Sequence, residues 1–194
     1  MEEPWLTTWF PQIRAADPTL AFDIGANAGT WTTLIKPQFY RVVSIEPDER
    51  CQPPEGVTYD RRAVWSHNDE ARLFRRESAL QSSLLENHDV GDGGNEVHVV
   101  NETPIQCVTL DKLAEQYGPP NFIKMDIEGG EVEALKGATA NCFRRCLWLI
   151  EIHDTRQEVL RHMGRLGFPD VQIIEHPIKT AAPGHEWMLA EPKR

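Results

Sequence analysis

The sequence is short of positive charge. Its 194 residues include 20 lysines and arginines against 30 aspartates and glutamates, so the formal net charge is −10. This balance disfavours a general affinity for nucleic acid or anionic lipid. Hydrophobic residues make up 40% of the chain, enough to bury one sizeable core. We therefore expect residues 1–194 to form a single domain. We expect its partner to be a small-molecule acceptor, and the sequence does not predict the oligomeric state.

The sequence also lacks long apolar runs and paired cysteines. No run approaches the roughly 20 apolar residues of a membrane helix, and residues 1–10 carry two acids and no base, unlike a signal peptide. The four cysteines include no C-x-x-C pair, which favours reduced thiols and a cytoplasmic location. Aromatic residues at helical spacing predict a short helical extension over residues 1–18.

From Leu20 onward, apolar runs alternate with helical patterns, which is typical of a doubly wound, mostly parallel α/β sheet. The predicted strands lie near 20–24, 41–46, 57–60, 121–127, 146–152, 169–174 and 186–190. The predicted helices lie near 29–37, 109–117, 131–137 and 155–166. Residues 61–108 fit neither pattern, and we interpret them as an insertion of short β-hairpin strands and a glycine-rich loop after the third strand.

The most informative segment runs from Ala21 to Thr30, with the sequence Ala-Phe-Asp-Ile-Gly-Ala-Asn-Ala-Gly-Thr. A short apolar strand stops there at a glycine turn and restarts as a helix, which places backbone N–H groups beside a ligand. Glu46 follows Gly25 by 21 residues, where a carboxylate at the end of a second strand can accept hydrogen bonds from ribose hydroxyls. An ordinary glycine turn of an α/β protein is the alternative.

The same turn separates two classes of cofactor. A dinucleotide fingerprint anchored on Gly25 needs a glycine at position 27 and a small residue at position 30, whereas this chain has Asn27 and Thr30. Asp23 adds a negative charge at the strand end, which suits the ammonium group of an amino acid and repels a pyrophosphate. These residues favour S-adenosylmethionine, with an NAD-dependent oxidoreductase as the alternative.

Two further strand ends carry acidic and basic groups. Asp126 and Glu128 follow a buried strand and share a face with Lys124, so these charges must face a cleft or a partner. One strand over, Glu151 and His153 share a face and can meet Asp126. The pattern allows an acid-base cluster or a divalent-ion site, while His153 could instead cap the next helix. Because the ligand count is incomplete, we expect no metal, and a divalent ion is the less favoured alternative.

The charges of the helix predicted after Gly130 have a structural explanation. Glu131 and Glu133 fall in its first turn and Lys136 falls in its last turn, as the helix dipole favours. We therefore assign these three side chains no catalytic role.

Several blocks of the sequence together resemble one family. They are, in chain order, Phe22–Gly29, Ile45–Pro47, Ser82–Leu84, Val108–Leu113, Ile123–Glu131 with Leu135–Ala138, and Ile150–His153. Their order and spacing are similar to those of the FkbM family of S-adenosylmethionine-dependent methyltransferases. The resemblance implies the class I methyltransferase fold, which is Rossmann-like, and O-methylation of a hydroxyl on a small molecule or sugar. A non-catalytic cofactor-binding or interaction module and an N-methyltransferase are the alternatives.

The resemblance also implies roles for individual residues, with the glycine turn and Glu46 assigned to the cofactor. The predicted cofactor-binding residues are Asp23, Gly25, Ala26, Asn27, Gly29, Thr30, Glu46, Pro47, Ala63, Ser82, Ser83 and Asp126. For catalysis, the intrinsic pKa of histidine makes His153 the first candidate for a general base, with Asp126 second and Glu151 as the orienting group. Alignment of the two substrates without any base is the alternative.

Overall fold

The structure is a computed structural model that describes Ile13 and residues 17–52, 54–76, 82–86, 99–175 and 185–192. Most of the helical extension predicted over residues 1–18 lies outside these ranges, as does the glycine-rich part of the predicted insertion. The described residues form an α/β fold around a seven-stranded sheet, with a second sheet of three strands. This large, mostly parallel sheet confirms the predicted fold class.

The helices and strands follow the predicted order along the chain. The strands are β1 (Leu20–Ile24), β2 (Arg41–Ile45), β3 (Thr58–Asp60), β4 (Ala63–Val64), β5 (Glu70–Arg76), β6 (Val99–Val108), β7 (Phe122–Met125), β8 (Leu147–His153), β9 (Gln172–Glu175) and β10 (His185–Ala190). The helices are α1 (Thr30–Ile35), α2 (Leu110–Tyr117), α3 (Glu131–Lys136), α4 (Ala140–Phe143) and α5 (Arg156–Leu166), and a 3₁₀ turn at Lys36–Gln38 extends α1. Helix α4 was not predicted, because four residues are too few to show a helical period.

The main sheet has the strand order β3-β2-β1-β7-β8-β10-β9. Strands β3, β2, β1, β7 and β8 are parallel neighbours, while β10 runs antiparallel to both β8 and β9. The register places Asp23 of β1 between Ser44 of β2 and Lys124 of β7. Because parallel strands end at the same edge, the turns after β1, β2, β7 and β8 converge there.

The predicted insertion contains a three-stranded sheet of order β4-β6-β5. Strand β6 pairs antiparallel with β5 and parallel with β4, and its ten residues make it longer than the short strands predicted for this insertion. The first part of β6 is exposed, and its middle reads Asn-Glu-Thr-Pro, so it lacks the apolar alternation that identifies a half-buried strand. Its length is set by pairing with β5.

Apolar side chains cover both faces of the main sheet. One cluster includes Phe143, Trp148 and Phe168, and the other includes Trp31 and Trp187, whose ring centroids lie 5.8 Å apart. The four cysteines are free thiols, as the sequence predicted. No helix in the described ranges is both long enough and apolar enough to cross a membrane.

A buried carboxylate fixes the end of β3. Asp60 accepts hydrogen bonds from the Arg62 guanidinium and the Tyr117 hydroxyl. Burial opposes the charge, but these donors and the positive charge of Arg62 hold the pKa of Asp60 below its ordinary value of 3.8. The ionised carboxylate therefore ties β3 to α2.

Candidate active site

A cavity of about 390 Å³ lies at the carboxyl edge of the main sheet. Its volume falls in the range of small-molecule sites, about 300–1,000 Å³. The sequence-predicted residues that line it are Gly25, Ala26, Asn27, Thr30, Glu46, Pro47, Ala63, Ser82, Ser83, Asp126 and Glu151. Lys124, Glu128 and three tryptophans, Trp31, Trp65 and Trp187, complete much of the wall.

Gly25 begins the turn after β1 in a left-handed conformation, with φ of 70°. A Cβ atom built there would lie 1.7 Å from the carbonyl oxygen of Asp126, so only glycine allows the ends of β1 and β7 to approach this closely. The Gly25 N–H donates to the carbonyl of Ile45 at 2.9 Å. The requirement for glycine thus comes from the protein backbone itself, even before any ligand is considered.

Asn27 and Glu46 hold each other in place across the cavity wall. Asn27 has φ of 48°, a conformation that asparagine tolerates better than most residues, and its N–H donates to Glu46 Oε2 at 2.9 Å. The N–H of Asp48 donates to Glu46 Oε1 at 2.8 Å. Burial raises the pKa of Glu46, and these two backbone donors partly oppose that shift. Each carboxylate oxygen keeps a second lone pair that a ribose hydroxyl can use.

Asp23 and Gly29 are the two predicted cofactor residues that do not line the cavity. Asp23 is fully buried behind the wall, where its Oδ2 accepts a 2.6 Å hydrogen bond from Thr32 Oγ1 and its burial raises its pKa. Gly29 precedes α1 with φ of 79°, and a Cβ there would meet the ring of Pro54 at 2.5 Å. Both residues shape the turn from behind the cavity wall, and their contact with a cofactor stays a prediction.

Lys124 connects the two carboxylates on either side of it. Its side chain is 3% exposed, its Nζ donates to the Gly25 carbonyl at 2.9 Å, and the same atom lies 3.6 Å from Asp23 Oδ1 and 3.4 Å from Asp126 Oδ2. Burial disfavours the ammonium, yet Asp126 and Asp23 hold the pKa of Lys124 above its ordinary value. The sequence placed Lys124 on this face without giving it a role.

His153 lies at the end of β8 with its side chain 2% exposed, behind Asp126 and Glu128. Its Nδ1 lies 3.0 Å from Glu131 Oε1, and its Nε2 lies 4.0 Å from Asp126 Oδ1 and 3.8 Å from Glu128 Oε2. Burial disfavours the imidazolium, but Glu131, Glu128 and Asp126 raise the pKa of His153 to about 10. In this arrangement His153 is protonated at neutral pH, which makes it a poor proton acceptor.

Asp126 is better placed than His153 to meet a substrate. Its side chain is 26% exposed and lines the cavity, whereas His153 does not line it. Burial opposes ionisation, but the charges of Lys124 and His153 lower the pKa of Asp126. The role of general base for His153 stays a prediction, and these positions favour Asp126 for that role.

Glu131 is a second site residue, after Lys124, whose role the sequence analysis missed. It is fully buried at the start of α3, where it also accepts a 3.1 Å hydrogen bond from the Gly129 N–H. The buried residues of α3 are Glu131, Ala134 and Leu135, a spacing of three and four residues. This period puts Glu131 on the apolar face of the helix, which was the signal that it faces the interior. Glu131 therefore contributes to orienting His153, and the orienting role of Glu151 stays a prediction.

Ser82 and Ser83 attach the described part of the insertion to the cavity wall. Ser82 Oγ donates to Asp48 Oδ2 at 3.0 Å, and Ser83 Oγ donates to the Glu128 carbonyl at 2.8 Å. The backbone of Ser83 also pairs with Phe74 of β5. Ser83 thereby links β5 to the turn that carries Glu128.

Residues 23–169 match the methyltransferase FkbM domain. The chain belongs to this family. It is 26% identical over 147 residues to the hexuronic acid methyltransferase AglP of Haloferax volcanii, a match that covers 72% of this chain and 58% of that protein. The chain thus spans less than two thirds of the length of this curated relative. The resemblance stated from the sequence blocks is confirmed.

Solved structures agree with this FkbM domain in fold. A precorrin-6y C5,15-methyltransferase from Geobacter metallireducens aligns with a TM-score of 0.53 and 10% identity, over 97% of this chain and 87% of that one. An S-adenosylmethionine-dependent O-methyltransferase from Thermotoga maritima aligns with a TM-score of 0.50 and 12% identity, over 100% of this chain and 67% of that one. At this identity the likeness shows the fold alone, and it confirms the class I, Rossmann-like architecture.

Proposed function

We propose that this FkbM-family chain transfers a methyl group from S-adenosylmethionine to a hydroxyl group of a sugar-type small molecule. One observation carries the proposal. The turn from Gly25 to Thr30, the carboxylate of Glu46 and the carboxylate of Asp126 come from the ends of three neighbouring strands and line one cavity. This arrangement supports the proposal, because the predicted cofactor-binding groups and a carboxylate able to accept a proton surround the same volume.

The charge of the cavity supports S-adenosylmethionine over a dinucleotide. Among the described residues that line it, four side chains are carboxylates, namely Glu46, Asp126, Glu128 and Glu151, and one is an amine, Lys124. Such a wall attracts the cationic sulfonium and ammonium groups of S-adenosylmethionine and repels a pyrophosphate. Asn27 stands where the dinucleotide fingerprint needs its second glycine, and its N–H already donates to Glu46.

The proposed chemistry is a direct displacement. The acceptor oxygen attacks the methyl carbon in line with its bond to sulfur, the O–C bond forms, and the electrons of the C–S bond return to sulfur. S-Adenosylhomocysteine leaves as a neutral thioether, and the hydroxyl proton passes to the Asp126 carboxylate. Alignment and the exclusion of water supply most of the acceleration, and a positioned base adds about 10²–10⁴-fold.

The family relative directs the choice of acceptor. The curated relative is named as a hexuronic acid methyltransferase, so sugars are the first class of acceptor to test. Because the wall is acidic, we expect neutral sugars to bind better than a free hexuronate anion. A sugar offers several hydroxyl groups, and the wall provides carboxylates that accept hydrogen bonds from them. We therefore expect the methyl acceptor to be a polar small molecule that carries hydroxyl groups.

Calorimetric titration tests the cofactor, and methyl transfer tests the reaction. We expect S-adenosylmethionine and S-adenosylhomocysteine to bind and NAD to show no binding. With methyl-labelled cofactor and neutral-sugar and hexuronic acid acceptors, Asp126→Asn should lower kcat by about 10²-fold or more. The matched control is Asp170→Asn, since Asp170 is exposed and precedes β9 at the other edge of the sheet. Absence of cofactor binding, or label recovered on an acceptor nitrogen, contradicts the proposal.

A further inference from the structure

The acidic edge of the cavity contains one imidazole between two carboxylates. His153 Nε2 lies 4.0 Å from Asp126 Oδ1 and 3.8 Å from Glu128 Oε2. One ligand atom from each of the three side chains lies within 4.8 Å of the others. Two atoms that bind one divalent ion at about 2.0–2.2 Å lie about 3–4 Å apart. The two distances from His153 fit this spacing, and the two carboxylates lie within 4.8 Å of each other, so small side-chain shifts would bring all three groups around a common cation.

The remaining nitrogen of His153 is held as it is in metal-binding histidines. Nδ1 lies 3.0 Å from Glu131 Oε1, and Glu131 is itself fully buried and fixed by the Gly129 N–H. A carboxylate that accepts the Nδ1 proton directs Nε2 toward the metal and makes it a stronger ligand. This is the outer partner that a metal-bound histidine almost always has.

A second, independent observation concerns Glu131. Its Oε2 is buried and accepts no hydrogen bond within the described part of the chain. A buried carboxylate oxygen without a donor is costly, and the imidazole of His153 lies 3.0 Å from the other oxygen of the same carboxylate. Together with Asp126 and Glu128, Glu131 places three carboxylates around one imidazole. The ammonium of Lys124 and the imidazolium of His153 balance two of these three negative charges. A divalent cation that replaces the proton on His153 Nε2 would balance the third.

The backbone at Glu128 keeps its side chain in this position. Glu128 has φ of 53°, a left-handed conformation that is unfavourable for a residue with a Cβ. The turn is fixed from outside by Ser83, whose Oγ donates to the Glu128 carbonyl. The side chain is 19% exposed and lines the cavity, so an ion bound there is accessible to substrate.

We propose that Asp126, Glu128 and His153 bind one divalent transition-metal ion at the edge of the cofactor cavity, with Glu131 as the residue that positions His153. Two carboxylates and one imidazole are mixed oxygen and nitrogen donors, which suit Mn²⁺ or Zn²⁺ better than Ca²⁺. The sequence analysis predicted no metal because it did not include Glu128 among the possible ligands. It explained Glu131 by the helix dipole alone.

The catalytic consequence rests on the proposed function, whereas the binding of the ion does not. The proposed ion site is part of the same wall as Asp126, where the acceptor hydroxyl is expected. A cation there stabilises the negative charge that develops on the acceptor oxygen and lowers the pKa of its hydroxyl. With the ion bound, Asp126 would act as its ligand in place of accepting the proton, and the hydroxyl proton would pass to solvent.

The test uses the full chain, treated with a chelator and dialysed. Titration with MnCl₂, followed by calorimetry and by the electron paramagnetic resonance of free Mn²⁺, should show one ion bound per chain. Asp126→Asn should weaken Mn²⁺ binding at least tenfold, and Glu131→Gln should weaken it about 10–100-fold through His153. The matched control is Glu133→Gln on the same helix, which pairs with Lys136 outside the cluster and should bind Mn²⁺ as the wild type does.

The outcomes separate this inference from the proposed function. Binding of Mn²⁺ that Asp126→Asn and Glu131→Gln both weaken supports the site, even if no methyl transfer is found. Absence of Mn²⁺ binding to the folded wild type overturns it, even if methyl transfer proceeds in the presence of chelator. Since Glu151 and His185 also approach His153, Glu151→Gln is included. Loss of Mn²⁺ binding in Glu151→Gln, with normal binding in Asp126→Asn, overturns the assignment of ligands.

Discussion

Replacement of Lys124 by methionine tests the charge arrangement behind the cavity. The side chain of Lys124 is almost fully buried, with Asp23 at 3.6 Å and Asp126 at 3.4 Å. At an effective dielectric constant of about 20, each attraction is worth about 5 kcal/mol before the cost of burying the charges. Loss of one partner of a buried pair costs about 3–5 kcal/mol, because the other charge is left without compensation. We expect Lys124→Met to lower the free energy of unfolding by that amount.

Urea denaturation of the full chain measures this change. The control is Lys136→Met, whose side chain is 45% exposed and pairs with Glu133, so it should cost only about 0–1 kcal/mol. The double variant with Asp23→Asn removes the uncompensated charge and should recover at least half of the loss. A Lys124→Met loss no larger than that of Lys136→Met would refute the reasoning, as would a double variant that is less stable than Lys124→Met alone.

Three further predictions concern the turn, the ribose carboxylate and acid stability. Gly25→Ala should lower the free energy of unfolding, measured in urea, by several kcal/mol, because the new Cβ would overlap the Asp126 carbonyl. The control Gly164→Ala has open space in helix α5 and should raise that free energy by about 0.5–1 kcal/mol. Equal effects of the two variants would contradict the close approach of β1 and β7 at Gly25. Glu46→Ala should weaken S-adenosylmethionine binding, measured by calorimetry, at least tenfold, since each charge-assisted hydrogen bond is worth about 1.5–3 kcal/mol. Unchanged affinity in a folded variant would contradict the prediction that Glu46 binds the ribose hydroxyls. The pKa of Asp60 is lower in the folded chain than its ordinary value of 3.8, so ionised Asp60 stabilises the fold above that pH, and this stabilisation is lost as the pH falls through the folded pKa. The difference in urea midpoint between the wild type and Asp60→Asn should therefore shrink below about pH 4. A difference that stays constant with pH would contradict this role of Asp60.

Local patterns explain which parts of the fold could be predicted. The strand, glycine turn and helix from Leu20 to Ile35 follow one another in the sequence, and each leaves a periodicity or a turn residue that can be read directly. Strand β6 leaves no such pattern, because its first residues are exposed and it is specified by pairing with β5. Its extent therefore depends on a partner strand that no local window contains.

The same distinction applies to the site. Glu46 and Asp126 were found because each follows an apolar strand, and the carboxyl ends of parallel strands meet at one edge. The role of Lys124 depends on the Gly25 carbonyl, 99 residues earlier in the chain, which no spacing rule indicates. The sequence analysis explained Glu131 by its favourable interaction with the helix dipole, because Glu131 lies in the first turn of α3. It did not consider that Glu131 also lies on the buried face of that helix.

The cavity wall is drawn from distant parts of the chain, among them the Gly25 turn, Glu46, Ser83, Asp126 and Trp187. No contiguous piece of the sequence forms it, so a ligand that fits it binds the native state and not the unfolded chain. Binding then adds to the free energy of unfolding by mass action, about 2.7 kcal/mol when the ligand is at 100 times its dissociation constant. Melting temperature thus becomes a reporter of occupancy, by which cofactors, metal ions and sugar acceptors can be ranked before any product is known.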